Sequence, residues 1–201
     1  MAPPDLDLNL PHAEPRLVGI LNDCDTQQSS IALYTMVPNM PASRLEEIAA
    51  IPQQQWQTEY EQDTQLVRPA QPTPSFAGRT LQDIVDAHIA MDKQLQPVED
   101  GAAIAGWKPD AFIVVTNDDL EDHGLLFVYA QMEDGDEDDD EEDKTAEGEM
   151  GKFFFRPNDM FELLSGLMLG SYGYLDLEEK YNIDGEDSDE DEDEDQDDDD
   201  D

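Results

Sequence analysis

The chain has 201 residues and a formal net charge of −42, and this length is typical of one domain with tails. So negative a charge repels nucleic-acid phosphates and anionic membrane surfaces, which argues against both as partners and favours a basic protein. The single cysteine, Cys24, excludes an internal disulfide, and no apolar run approaches the roughly 18 residues of a membrane span. We therefore expect an intracellular monomer, cytoplasmic or nuclear.

Two short stretches carry more than half of the negative charge. Of 52 acidic residues, 12 lie within residues 133–149 and 15 lie within residues 184–201. Such segments bury too little apolar surface to offset the entropy of ordering, so we expect both to be disordered. The predicted organisation is a disordered leader over 1–15, a folded domain over 16–183 that contains the acidic insertion at 133–149, and a polyacidic tail over 184–201.

The first third of the chain predicts two strands and one helix. Residues 1–15 contain four prolines and no apolar periodicity, which is typical of a mobile leader. Residues 17–21 and 31–37 are short apolar runs that indicate strands. Ser43 followed by Glu46 matches a capping box, so a helix is predicted to begin at Ser43.

The middle of the chain contains the clearest helix. Residues 53–65 fit either a helix or, near their end, a strand. Pro69, Pro72 and Pro74 argue against regular structure up to Phe76. Thr80 is then predicted to cap a helix whose apolar stripe faces a core. The stripe consists of Leu81, Ile84, Val85, His88 and Ile89.

The last third predicts three strands and a helix. Residues 111–116 and 125–130 are continuous β-prone runs joined by a hairpin connector over 117–124, and residues 152–156 form a further strand. The acidic insertion then lies in a strand-to-strand loop, where added length costs little. Asn158 is predicted to cap a helix that Gly170 ends, before an apolar and aromatic segment over 172–181.

These elements predict an α+β fold: one small domain with a mixed sheet of about five strands and two or three packed helices.

Four stretches in this order resemble an uncharacterised family of small domains found in bacteria and fungi, the domain of unknown function 6924. The stretches are Phe76-Ala-Gly-Arg-Thr-Leu-Gln-Asp-Ile, Ala111-Phe-Ile-Val-Val-Thr, Gly124-Leu-Leu-Phe-Val-Tyr, and Phe154-Phe-Arg-Pro continuing through Met168-Leu-Gly-Ser-Tyr-Gly-Tyr-Leu-Asp-Leu-Glu-Glu. The resemblance spans roughly residues 31–179 and implies a small α+β fold. It implies no activity, since fold alone does not determine function.

The acidic runs are the strongest functional signal in the sequence. A dense, low-complexity polyanion binds and neutralises basic proteins, whereas the simpler alternative is that it only keeps the protein dissolved. The candidate partner-binding residues are Asp136, Asp138, Asp139, Asp140, Glu141, Glu142, Asp189, Glu190, Asp191, Glu192 and Asp193. Ser188 precedes several acids and is a candidate phosphorylation site. A calcium loop from Asp184 is disfavoured, because Asp189 stands where an EF-hand needs glycine.

The remaining motifs give little support for an enzyme. His123 lies among carboxylates and offers a possible metal or general-base site, but ligand spacing is absent and a solvated hairpin tip is the simpler interpretation. Cys24 lacks a histidine partner by motif, Ser171 does not lie in a nucleophile elbow, and no phosphate-binding glycine loop is present. We predict neither a cofactor nor a structured metal site.

Aromatic residues offer an alternative binding surface. Trp56, Trp107, Tyr172 and Tyr174 are of the types enriched at interfaces, although core packing is their commoner fate. The sequence thus favours a non-enzymatic interaction module that binds a basic client through its acidic runs. Two alternatives stay open: a folded surface that binds a partner while the acid only solubilises, and an enzyme or metal site around His123.

Overall fold

A computed structural model of the chain describes residues 6–21, 24–61, 64–91, 96–97, 103–131 and 148–183. At its centre is a five-stranded sheet with the order β3-β2-β6-β7-β8. The strands are β2 (Ser30–Thr35), β3 (Val67–Pro69), β6 (Trp107–Val115), β7 (Leu125–Gln131) and β8 (Glu149–Phe155). A small second sheet joins β1 (Cys24–Asp25), β5 (Ala103–Ile104) and β4 (Gln96–Pro97).

The central sheet is mixed. Strand β2 pairs in parallel with both β3 and β6, whereas β6, β7 and β8 run antiparallel to one another. The β7–β8 ladder is continuous from Leu125 opposite Phe155 to Gln131 opposite Glu149. The α+β class and the mixed five-stranded sheet are therefore confirmed.

Helices cover both faces of this sheet. We call face A the side covered by α2 (Ala42–Ala50), α3 (Gln53–Tyr60), α6 (Met160–Met168) and α7 (Tyr174–Tyr181). Face B is covered by α1 (Pro15–Val18), α4 (Leu81–Ala90) and the extended segment before α1. A short helix α5 (Leu120–His123) lies in the β6–β7 connector. More helices pack here than the two or three expected.

Strand alternation divides the core between the two faces. Along β6, Ile113 and Val115 pack on face A, while Phe112 and Val114 pack on face B. The apolar stripe of α4 also lies on face B, where Leu81, Ile84 and Val85 are inaccessible to solvent. These two apolar clusters account for the continuous hydrophobic runs seen in the sequence.

The predicted disordered leader over 1–15 is wrong for the residues that the structure describes. Leu6, Leu8 and Leu10 pack against the face B core, and the main chain is fixed by hydrogen bonds. Leu81 N donates to Asp7 O at 2.9 Å, Met150 N donates to His12 O at 2.9 Å, and Lys152 Nζ donates to Leu8 O at 2.6 Å. We call residues 6–13 the N-terminal strap. The alternating leucines of the strap were a sequence signal for packing, which the prolines of residues 1–15 obscured.

Several predicted boundaries also change. Residues 17–21 do not form a strand: α1 begins at Pro15, whose fixed φ suits a first helical position, and the side chain of Glu14 accepts from Arg16 N. Helix α2 begins at Ala42 and has no side-chain cap, so the Ser43 capping box does not form. Pro69 ends the edge strand β3, where an unpaired side is available to a residue without an N–H.

The C-terminal helices differ from expectation at their starts. A 3₁₀ turn over Pro157–Asp159 precedes α6, and no side chain caps either element, so Asn158 is not a cap. The segment predicted only as apolar and aromatic forms α7. By contrast, the predicted α4 start is confirmed, because Thr80 and Asp83 form a reciprocal capping box.

Candidate functional site

A crevice opens at the carboxyl edge of the three parallel strands. The connection from β2 to β3 carries α2 and α3 on face A, whereas the connection from β3 to β6 carries α4 on face B. The chain order therefore reverses at β2, and the loops after β2 and β6 diverge. Open α/β sheets bind ligands at such switch points, outside the carboxyl ends of the strands. The cavity found there has a volume of about 440 Å³.

The lining of this crevice combines apolar walls with a polar rim. Met36 and Val37 follow β2 directly and are 1% and 8% exposed, and Leu6 of the strap forms another wall. The remaining lining residues are Asp7, Pro38, Gly78, Arg79, Thr80, Thr116, Asn117 and Asp118. Apolar walls with few convergent polar groups are typical of small-molecule sites, and the volume lies within their usual range.

The N-terminus of α4 borders the crevice, and the amides of Leu81 and Asp83 there already have partners. Thr80 Oγ1 accepts from Asp83 N at 3.2 Å, and Asp7 O accepts from Leu81 N at 2.9 Å. Asp83 accepts in turn from Thr80 N at 2.9 Å, and this bond is the main reason that the pKa of Asp83 lies below its usual value. Because these donors have partners, the helix end offers fewer amides to an external anion.

The connector after β6 places several carboxylates beside the crevice. Asn117 Oδ1 accepts from Asp119 N, and Asp119 caps α5 by accepting from Asp122 N at 3.3 Å. Asp118, Asp119, Glu121, Asp122 and His123 are all exposed. Within the described ranges no three histidine, cysteine or acidic side chains are grouped as a metal site requires.

The other candidate residues from the sequence can be placed in the fold by their contacts or exposure. His88 is inaccessible to solvent, with Nδ1 3.0 Å from Tyr34 Oη and Nε2 3.1 Å from Lys108 O, so it links α4 to β2 and β6. Cys24 Sγ donates to Ile20 O at 3.1 Å. Ser171 lies in the exposed turn between α6 and α7.

The four aromatic residues proposed as a surface do not lie together at one surface. Trp56 and Trp107 are 3% and 2% exposed and belong to the cores of opposite faces. Tyr174 packs against the face A core. Only Tyr172 is largely exposed, at 42%. Core packing therefore accounts for three of the four.

A polar cluster that the sequence did not reveal holds α7 to the sheet. Asp110 Oδ2 accepts from Tyr174 Oη at 2.6 Å, and Tyr129 Oη donates to Glu178 Oε2 at 2.5 Å. The two tyrosine rings stack with their centroids 4.7 Å apart. Lys108 Nζ lies 3.1 Å from Asp110 Oδ1, and both side chains are nearly buried. We call Asp110, Tyr129, Tyr174 and Glu178 the α7 latch.

The latch is chemically suited to holding a helix and poorly suited to catalysis. Burial, and then the neighbouring Asp110 carboxylate, raise the pKa of Tyr174 well above its ordinary value. Burial and Glu178 likewise raise the pKa of Tyr129. Both phenols therefore stay protonated near neutral pH and act as hydrogen-bond donors. A catalytic base at that pH would need a pKa shifted in the opposite direction.

The predicted partner-binding acids and Ser188 lie outside the described residues, as does the calcium loop considered at Asp184. The structure does describe the points at which the two runs join the fold. The insertion leaves after Gln131 and returns at Gly148, whose carbonyl accepts from Glu14 N at 2.8 Å. Gly148 has φ +69°, and a Cβ there would meet Glu14 O at 2.6 Å, so the return point requires glycine.

The tail leaves from the opposite end of the β7–β8 ladder. Ile183, the last described residue, lies against Gly124 at the start of β7, whereas the insertion leaves from the end of β7. Seven strand residues separate these ends, which corresponds to about 20 Å. The tail therefore begins at the same sheet edge as the crevice.

Comparisons of the chain with family models, with curated proteins and with solved structures found no match. The resemblance to the domain of unknown function 6924 stays a prediction. None of the helices in the described part of the chain has the length and apolar character needed to cross a bilayer.

Proposed function

We propose that this protein is a non-enzymatic interaction module that binds a basic protein client through its acidic insertion and tail. The observation that carries the proposal is the charge distribution: 27 of 52 acidic residues lie in two stretches that together span 35 residues. Attraction between such a polyanion and a basic surface speeds encounter and favours basic partners over acidic ones.

The points of attachment support joint action by the two runs. For the disordered tail that the sequence predicts, a chain of 18 residues spans roughly 25 Å, and self-repulsion extends it further. That reach is comparable to the roughly 20 Å between the two ends of the β7–β8 ladder. One client bound alongside this hairpin is therefore within range of both runs.

The folded part provides few cations that would compete for the runs. The whole chain has only ten lysines and arginines, and several of the described ones already have partners within the fold. The pairs are Arg16 with Glu14, Arg44 with Glu47, and Lys108 with Asp110, while Lys152 donates to Leu8 O. This supports both an external basic client and a monomer that does not associate through its own charges.

The test measures binding of polylysine by the full chain and by two tail variants. In one variant, every acid in residues 184–201 becomes the corresponding amide; in the other, the tail has the same composition in scrambled order. We expect the neutral tail to lose affinity and the scrambled tail to keep it, because a polyanion acts through charge density. Affinity of the wild type should fall steeply between low and moderate salt. Equal binding by all three proteins would remove the tail from the mechanism.

A folded surface is a second candidate, favoured by exposed apolar side chains on the face A helices. Leu169, Tyr172 and Leu175 are 50%, 42% and 61% exposed and lie within seven residues around the α6–α7 turn. Clustered exposed apolar residues often indicate a protein-binding surface. Partner capture that tolerates salt, persists with both acidic runs neutralised and is lost on Leu175→Ser would favour this candidate over the first.

A further inference from the structure

We propose that the crevice between β2, β6 and α4 binds a small organic amine with an apolar body, held by the carboxylates of Asp7 and Asp118. This ligand binding does not depend on the acidic runs, and it goes beyond the proposed binding of a basic client.

The position and shape of the crevice point to a ligand site. It lies where the chain order reverses in the parallel part of the sheet, the place at which open α/β sheets bind small molecules. Its walls of Leu6, Met36, Val37 and Pro38 are apolar, and its volume of about 440 Å³ matches a small organic molecule. The strap is fixed along one side by its hydrogen bond from Leu81 N to Asp7 O, so this wall is preformed.

The charged residues around the crevice determine whether it favours a positively or a negatively charged ligand. Asp7 and Asp118 line it, and Asp119, Glu121 and Asp122 follow on the exposed connector. Among the described lining residues Arg79 is the only basic one, and the nearby Asp83 carboxylate interacts with it. At the start of α4, the amides of Leu81 and Asp83 have partners within the fold, so fewer donors are left for a phosphate. A cation is therefore favoured over an anion.

The two rim carboxylates have acceptor capacity left for an ammonium group. Asp7 Oδ1 accepts from Asn9 N and Asn9 Nδ2, which leaves its second oxygen available. Among the described residues no hydrogen bond to the Asp118 side chain is found, and that side chain is exposed at the mouth. An ammonium on an apolar body thus satisfies both parts of the site at once.

The test uses three probes that share an indole ring: tryptamine, indole and indole-3-propionate. Each is added to the full chain while backbone amide shifts are followed by NMR. We expect tryptamine to shift the amides of Met36, Gly78, Thr116 and Asn117, indole to shift them less, and indole-3-propionate to leave them unchanged. Ethylamine, which lacks an apolar body, reports nonspecific attraction to the acidic runs and should not shift these amides.

Two matched variants distinguish the contribution of a carboxylate in the crevice lining from that of nearby negative charge. Asp118→Asn removes a crevice carboxylate, whereas Asp122→Asn removes one from the same connector outside the lining. Asp118→Asn should weaken tryptamine binding about fivefold, and Asp122→Asn should change it little. Both side chains are exposed, so folding should be unaffected, which the amide spectrum itself reports.

A substitution that fills the crevice provides a second test of the binding site. Thr116→Phe places a ring into the cavity from its half-buried edge and should abolish the tryptamine shifts at Met36 and Gly78. The proposal would be overturned if indole-3-propionate shifted the crevice amides as much as tryptamine does. It would also be overturned if Asp118→Asn and Asp122→Asn weakened tryptamine binding equally, or if Thr116→Phe left tryptamine binding unchanged. None of these outcomes bears on polylysine binding.

Discussion

The two faces of the central sheet are closed by different interactions. On face A, four helices bury a continuous apolar cluster, and the α7 latch adds hydrogen bonds between buried side chains. On face B, α1 and α4 leave part of the sheet to the N-terminal strap, which is held largely by main-chain carbonyls. Face A is therefore closed by packed helices and side-chain hydrogen bonds that stabilise the fold, whereas face B, closed by the strap, keeps an open crevice at its edge.

The largest expected effect is a loss of stability at alkaline pH, to which both faces contribute. Burial raises the pKa of Tyr34 on face B, and the pKa values of Tyr129 and Tyr174 on face A are also raised. A raised folded-state pKa means that stability is fully present below about pH 10, the unfolded value, and is lost as pH rises above it. Each tyrosine then removes about 1.4 kcal/mol per pH unit.

Urea unfolding at a series of pH values, with tyrosinate absorbance followed in parallel, measures this effect. Tyr34→Phe should remove about one third of the slope above pH 10, because one of the three shifted groups is gone. If the three phenols ionised near pH 10 while the circular dichroism of the fold stayed native, the raised pKa values would be refuted.

The next largest expected effect is a loss of folding stability from the face A contacts alone. Asp110→Ala should lower the free energy of unfolding by about 3 kcal/mol, because it leaves the Lys108 ammonium buried without its carboxylate and the Tyr174 hydroxyl without its acceptor. The control Tyr174→Phe removes only one hydrogen bond and should cost about 1 kcal/mol. Chemical denaturation followed by circular dichroism measures both; equal losses would mean that the ion pair contributes nothing.

A smaller loss of stability is expected when the N-terminal cap of α4 on face B is removed. Thr80→Ala should cost about 1 kcal/mol, because Asp83 N loses its acceptor. Ser43→Ala is the matched control: Ser43 resembles a cap in sequence but makes no capping bond at α2, so its loss should stay within about 0.5 kcal/mol. The same denaturation assay compares them, and a larger cost at Ser43 would contradict the observed helix start.

The smallest expected effect is at the outer surface of the face A helices. Leu175→Ser should change the free energy of unfolding by no more than about 0.5 kcal/mol, because Leu175 is 61% exposed. Leu177→Ser, two residues away and inaccessible to solvent, is the destabilising counterpart. A large cost at Leu175 would show that it packs against something in the free protein.

Part of the fold follows from local patterns and part does not. The capping box at Thr80 and the stripe of α4 lie within eleven residues, so sequence spacing was enough to locate them. Residues 17–21 have a strand-like composition, yet Pro15 and the Glu14 side chain start a helix there. The strap leucines become buried only because β8 and α4 pack beside them, which no local signal contains.

The candidate site shows the same limit. Most of its residues stand just after β2, just after β6 and just before α4, so these positions had a local signal as the end of a predicted element, whereas Leu6 and Asp7 of the strap had none. Their convergence depends on β2 and β6 being parallel neighbours, and a run of apolar residues does not specify its partner. The α7 latch likewise joins residues 64 and 49 positions apart, beyond any helical or strand period.

The sequence by itself determined the class of fold, the α4 helix, the β6, β7 and β8 strands and the concentration of acid in two runs, because periodicity and charge are properties of neighbouring residues. Only the tertiary structure decided the strand order, the strap, the latch and the crevice, because each arises where segments distant in the chain come into contact.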